Sequence, residues 1–332
     1  MSLPLSILDL AFVRSGETAR DSFQACVTLA QQAERLGYAR IWYAEHHNIA
    51  AIASSATSVL IAHIAANTET IRLGAGGIML PNHAPLMIAE QFGTLECLHP
   101  GRIDLGLGRA PGADQPTMRA LRRSPSASDT FPQDVLELQG YLTGESRIPG
   151  VDAVPGKGTN VPLYILGSSL FGAQLAAALG LPFSFASHFA PGALEQAVEI
   201  YRREFRPSRQ LERPYFIAGV NVIAADTASD AAAQLTTVTR LRVKAILGRG
   251  RSLSDAHVDE ILQSPDGIHL AQMGRYTAVG TAPEVREYLD RFARHADADE
   301  LITVHPSPTV GARLRSVELT AVAWPISSAA GS

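Results

Sequence analysis

Glu45, His46 and His47 stand together at the end of the strand-like run ARIWYAEHH (39–47). Strands commonly close in Gly, Asn, Asp or Ser, so a carboxylate followed by two imidazoles is a chemical signal. Three readings are open. One imidazole can be a packing or loop residue hydrogen-bonded to Glu45. The group can hold a metal ion, or one imidazole can serve as a general base, since it titrates near neutrality. Successive residues leaving a strand point to opposite sides, so at most one ring can face a common site. The metal reading gains nothing from the rest of the chain. The histidines at 63, 83, 99, 188, 257, 269, 295 and 305 repeat no ligand spacing, and no metal is expected.

Three further strand ends carry unusual residues. IRLGAGGIMLP (71–81) places Gly74, Ala75, Gly76 and Gly77 in succession, and DLGLGRAPG (104–112) thins the next run in the same way. A lone glycine pair reads as a bulge or turn. Repeated at neighbouring strand ends, it makes room for a broad flat ligand. Arg109 follows the second of these runs. Arginine is a surface residue by default, but between glycines at a strand end its fork can grip phosphate oxygens. In LGSSLFGAQLAAALGLP (166–182), Ser168 and Ser169 lead into an Ala-rich helix that Gly180 ends. They read as ordinary N-caps, or as hydroxyls beside exposed helix N–H groups that bind phosphate. Two familiar alternatives fail. Gly106-x-Gly108-x-x-x-Gly112 is one residue too long for the dinucleotide fingerprint and lacks its acidic ribose partner. GSSLFG misses the serine-hydrolase elbow because Phe171 replaces its second glycine, and no matched Asp and His follow.

These positions work together only if one architecture gathers them. Short β-type runs recur at LSILDLAF (5–12), ARIWYAEH (39–46), IRLGAGG (71–77), RIDLGLG (102–108), VPLYILG (161–167), FSFASHF (183–189), YFIAGVNVIAA (215–225) and ELITVHP (300–306). A helical pattern follows each, as in Phe23, Val27 and Ala30 before the stop at Gly37, or Ile88, Phe92 and Leu95. Alternating β and α means a parallel sheet. Eight units fit an α/β fold of the (β/α)8 TIM-barrel type, one domain over 1–332, better than an open doubly wound sheet. The pattern loosens after the fourth strand, where 110–130 reads as an active-face loop, and again over 248–275, before the last helix–strand pair. In such a barrel the carboxyl ends of the strands form the active face, where Glu45, His46 and His47 would sit.

Composition removes other function classes. The 332 residues are 46% hydrophobic and 18% charged, which suits a large core. The 28 basic and 32 acidic side chains leave a net charge of −4, with no basic stripe or charged tail for nucleic acid or a membrane surface. Cys26 and Cys97, the only cysteines, lie beside apolar neighbours and argue against a disulfide framework. The start, MSLPLSILDLAF, has no basic n-region, and no apolar run reaches transmembrane length. A soluble cytoplasmic protein is expected.

GYARIWYAEHHN, TIRLGAGGIMLPNHAPLMIAEQFGTLECLHPGRIDLGLGRAPG, VPLYILGSSLFGAQLAAALGLP and AVGTAPEVREYL together resemble the bacterial luciferase-like monooxygenases, over nearly the whole chain. The likeness is to single-chain oxygenases rather than to subunits of a light-emitting heterodimer. It implies a (β/α)8 barrel that binds FMN as FMNH2, supplied by a separate NAD(P)H-dependent flavin reductase. It further implies activation of dioxygen as a C4a-(hydro)peroxyflavin that oxidises a small organic substrate. By motif, His46 falls on the catalytic histidine, and Gly76-Gly77 on a pair against the flavin ring that is often joined by a non-prolyl cis peptide. Ala44 is carried over with the flavin-binding positions. Gly108 stands beneath the isoalloxazine, where the luciferase catalytic subunit has cysteine. Arg109 falls on the phosphate-binding arginine, and Ser169, Leu170 and Gly172 on the phosphate turn, with Ser168 in place of a glutamate. The stretch 248–275 falls on a mobile lid. Relatives that use deazaflavin F420 for hydride transfer supply the rival reading, and non-catalytic flavin-binding relatives a weaker one. A homodimer through helices near the second and third strands is in keeping with the family.

Overall fold

The strands form where short apolar runs can be buried on both faces, as parallel strands under helices require. A computed structural model describes residues 3–110, 114–247 and 253–324. In chain order the elements are β1 (Leu5–Asp9), α1 (Ala19–Arg35), β2 (Arg40–Tyr43), α2 (Thr57–Ala65), β3 (Arg72–Met79), α3 (Pro85–Leu98) and β4 (Ile103–Gly108). There follow α4 (Gln115–Ala120), α5 (Phe131–Thr143), β5 (Leu163–Gly167), α6 (Leu170–Leu179), β6 (Phe183–Phe185), α7 (Leu194–Glu204) and β7 (Phe216–Ala224). The chain then runs through α8 (Ala228–Leu247), α9 (Asp255–Leu262), α10 (Pro265–Met273), β8 (Thr277–Gly280), α11 (Ala282–His295), β9 (Glu300–Val304) and α12 (Val310–Ala323). Local signals set the helix ends. Thr18 and Asp21 form a capping box that opens α1, and Gly37, at φ +82°, turns the chain after it.

Eight parallel strands close into a barrel in the order β1-β2-β3-β4-β5-β6-β7-β9, with β9 returning to β1. The ninth, β8, lies outside the closed ring and, among the described residues, pairs with β7 alone. It is absent from the reading by sequence because four residues, only two of them buried, give too little pattern. The expected irregular stretch is corrected as well. Its described part carries α9 and α10, opened by the serine caps Ser254 and Ser264, with Pro265 in the first turn of α10. Both helices are short and enclose a small cluster of Val243, Val258 and Leu270 apart from the main core. Residues 248–252 of the expected lid and 111–113 of the expected loop lie outside the described residues. The sixth strand stops at Phe185 rather than 189, because the amide of Ser187 turns back onto the Phe185 carbonyl.

The barrel interior is stacked in two layers beneath its mouth. At the bottom, Arg40 contacts Asp104 at 2.8 Å and Glu300 at 3.0 Å, and Arg72 reaches the other Asp104 oxygen. Two cations thus face two carboxylates, and Tyr164, Tyr215 and Ser6 supply further hydrogen bonds. Above them Trp42 packs with Leu8, Tyr164, Ile217 and Ile302, its indole N–H donating to Asp104 at 3.1 Å. The glycines of β3 fit this packing. A methyl on Gly76 would stand 2.6 Å from Leu8 Cδ1 and 2.9 Å from Trp42 Cβ. Much of the room these glycines leave is therefore filled by the protein's own side chains, which build the floor of the site.

Candidate active site

A cavity of about 450 Å³ opens at the carboxyl ends of the strands. It falls in the size range of small-molecule sites, about 300–1,000 Å³. Ala44, His46, Gly76, Gly77, Gly108, Arg109, Ser168, Ser169 and Gly172 all line it. Leu170 does not; it begins α6 and packs on the main core. The Gly76-Gly77 peptide is cis.

His46 and His47 part company as the strand alternation requires. His46 lines the cavity, and its Nδ1 is buried with no hydrogen-bond partner among the described residues. Burial, aided by His47 and opposed by Glu45, holds its pKa below the ordinary histidine value, so the ring is neutral near pH 7. His47 turns away and bonds Glu45 Oε1 through Nε2 at 2.7 Å. His83 reaches the same oxygen at 2.8 Å, and the Met79 amide donates to Oε2 at 2.9 Å. Burial alone would raise the Glu45 carboxyl. Bonding and charge from His83, the bond from His47 and the Met79 amide outweigh it and hold the group below the usual carboxylate range. The ligand atoms of Glu45, His47 and His83 lie within 4.8 Å of one another, although one carboxylate oxygen already accepts from both rings. Sequence spacing hides this convergence, because His83 comes from the turn after β3, beside the end of β2.

The other end of the cavity has an anion-binding character. Arg109 is exposed and stacks over Phe171, 4.3 Å from guanidinium carbon to ring centre. Its Nε makes a long bond to the Ser128 carbonyl, 3.4 Å, and it forms no ion pair among the described residues. Ser169 is the N-cap of α6, yet its side chain makes no capping bond. A helix N-terminus, a free hydroxyl and an unpaired guanidinium therefore border one cavity. This donor set fits a phosphate-bearing cofactor such as FMN.

Sequence reasoning missed most of the remaining wall. Leu8 and Ile302 come from the strands that close the barrel, Leu10 from the segment after β1, Phe131 from α5, and Ser184, Phe185, His188 and Phe189 from β6 and its turn. Only the last group had a local signal, the aromatic and histidine in FSFASHF.

Comparison with known proteins fits this geometry. Residues 3–299 match the family model described as luciferase-like monooxygenase. The chain is 49% identical over 321 residues to a luciferase-like monooxygenase of Escherichia coli (strain K12), covering 96% of each. It is 34% identical over 323 residues to the N-acetyl-S-alkylcysteine monooxygenase of Bacillus subtilis (strain 168), covering 91% of this chain and 92% of that one. The crystal structure of apo-MsnO8 has a TM-score of 0.88 at 36% identity, over 98% of this chain and 99% of that one. Among the described residues no helix is long and apolar enough to cross a membrane.

Proposed function

The chain belongs to the luciferase-like monooxygenase family, and from that premise we propose that it is an FMN-dependent monooxygenase. It takes FMNH2 from a separate NAD(P)H-dependent reductase and oxidises a small organic substrate with dioxygen. One observation carries the reading: an uncommitted neutral imidazole, an unpaired guanidinium and an uncapped helix N-terminus border a single cavity.

Arg109, Ser168, Ser169 and the amides at the start of α6, with Gly172 in its first turn, hold the phosphate. The cis-joined Gly76-Gly77 pair, Gly108 and Ala44 form the wall for the ring, over the Leu8 and Trp42 floor. When bound and reduced, the flavin supplies the oxygen chemistry, and the protein supplies position and a dry surround. His46 takes or returns a proton through its cavity-lining imidazole. Glu45 keeps His47 and His83 bound to itself and leaves the His46 imidazole free to act. Thioethers of the N-acetyl-S-alkylcysteine kind, which the Bacillus relative's name indicates, are the first substrates to screen.

Fluorescence titration with FMN, riboflavin and F420 tests the cofactor. The reading expects FMN to bind best and riboflavin to lose the phosphate contribution. A clear preference for F420 would replace oxygenation with hydride transfer.

A further inference from the structure

The cavity holds one more titratable side chain that the reading above leaves unused. His188 lines it from the turn after β6 and is 8% exposed. In the closed ring β6 lies four strands from β2 in either direction, so His188 stands on the wall opposite His46. Its surroundings fix it. The Asn221 side-chain amide donates to the His188 carbonyl at 2.6 Å, and the Ser187 hydroxyl donates to the Gly219 carbonyl at 2.6 Å. The ring packs edge-on to Phe189, and it sits where a side chain on Gly219 would be, since a methyl there would lie 2.5 Å from Nδ1. Nδ1 is buried against the β7 backbone without a hydrogen-bond partner among the described residues, so Nε2 is the nitrogen that this ring can present to the cavity. Nε2 makes no hydrogen bond among the described residues, and on a firmly held ring at a cavity wall it is placed to meet a ligand.

We propose that His188 is a ligand-contacting residue, whose imidazole hydrogen-bonds a carbonyl, amide or hydroxyl group of the molecule in this cavity, from the wall opposite His46. The inference deepens the oxygenase reading and rests on it. Burial, with the charge of Arg242 on α8, pushes the ring pKa down to about 3. The imidazole therefore stays neutral, and Nε2 meets the ligand as donor or acceptor according to the tautomer. The matching group belongs either to the flavin's pyrimidine edge or to the organic substrate.

Nitrogen NMR of the full chain carrying ring-labelled histidine separates these cases, with the His188 signals assigned by their loss in His188→Gln. We expect them to shift when FMN saturates the protein, which assigns the contact to flavin. Otherwise they should shift when acetophenone, but not ethylbenzene, is added to the FMN-saturated protein, which assigns it to substrate. His188→Gln should weaken whichever probe makes the contact by about 3- to 10-fold. Signals unmoved in both arms, while flavin fluorescence reports bound FMN, would overturn the contact. If FMN does not bind at all, the flavin reading fails. The contact then stands or falls on whether acetophenone alone moves the His188 signals.

Discussion

Replacing Glu45 by glutamine should destabilise the protein in a manner set by pH. The Glu45 side chain is 1% exposed and accepts three hydrogen bonds, from His47, His83 and the Met79 amide, at 2.7, 2.8 and 2.9 Å. These bonds tie the end of β2 to the end of β3 and the turn beyond it. Glutamine keeps the shape but offers one acceptor oxygen, so its NH2 must face at least one donor. Hydrogen bonds to a charged group are worth about 1.5–3 kcal/mol each, which sets the loss at about 2–3 kcal/mol at neutral pH. The folded pKa of Glu45 is lowered, through His83, His47 and the Met79 amide acting against burial. Its stabilisation is therefore complete above the unfolded value, about 4.3, and disappears as pH falls through the lower folded value. Urea unfolding followed by the fluorescence of the buried Trp42 and Trp324 measures the gap between wild type and variant. The gap should be widest near pH 7 and close steadily below about pH 4. A gap that is absent at pH 7, or that stays constant down to acid, would refute the reasoning.

Arg109→Ala should weaken FMN by about 10- to 100-fold and leave riboflavin nearly unchanged, read by fluorescence titration; equal losses would remove the phosphate contact. His46→Ala should bind FMN almost normally while turnover falls by about 10²- to 10⁴-fold, and wild-type turnover would exclude the proton-transfer role. Because burial lowers the His46 pKa, the rate that needs its neutral form should be flat above the ordinary histidine value of about 6.5 and fall only below it; a pH–rate limb lying above that value would contradict the assignment. Arg40→Met leaves Asp104 and Glu300 buried without their shared cation and should cost about 3–5 kcal/mol in thermal or urea unfolding. A loss below about 1 kcal/mol would mean that water reaches the barrel floor.

The eight barrel strands were legible because each is a short apolar run between turn signals, and the active face followed from their parallel order. Glu45-His46-His47, Arg109 and Ser168-Ser169 stood out because their residue types conflict with their local setting. What stayed hidden depends on contacts remote in sequence. His83 joins Glu45 only when β2 and β3 lie side by side, and Trp42 occupies the space of Gly76 only inside the closed ring. The strand β8 and the helices α9 and α10 are too short for periodicity to separate them from loop. His188 was visible as a histidine, but its position opposite His46 follows from ring closure alone.

The central claim is tested most directly by oxygen reactivity. The protein is loaded anaerobically with FMNH2 and mixed with oxygenated buffer in a stopped-flow spectrophotometer, beside free FMNH2. The account predicts that bound flavin reoxidises more slowly, through an absorbance phase matching neither the reduced nor the oxidised cofactor. A trace that overlays that of free FMNH2 would contradict it.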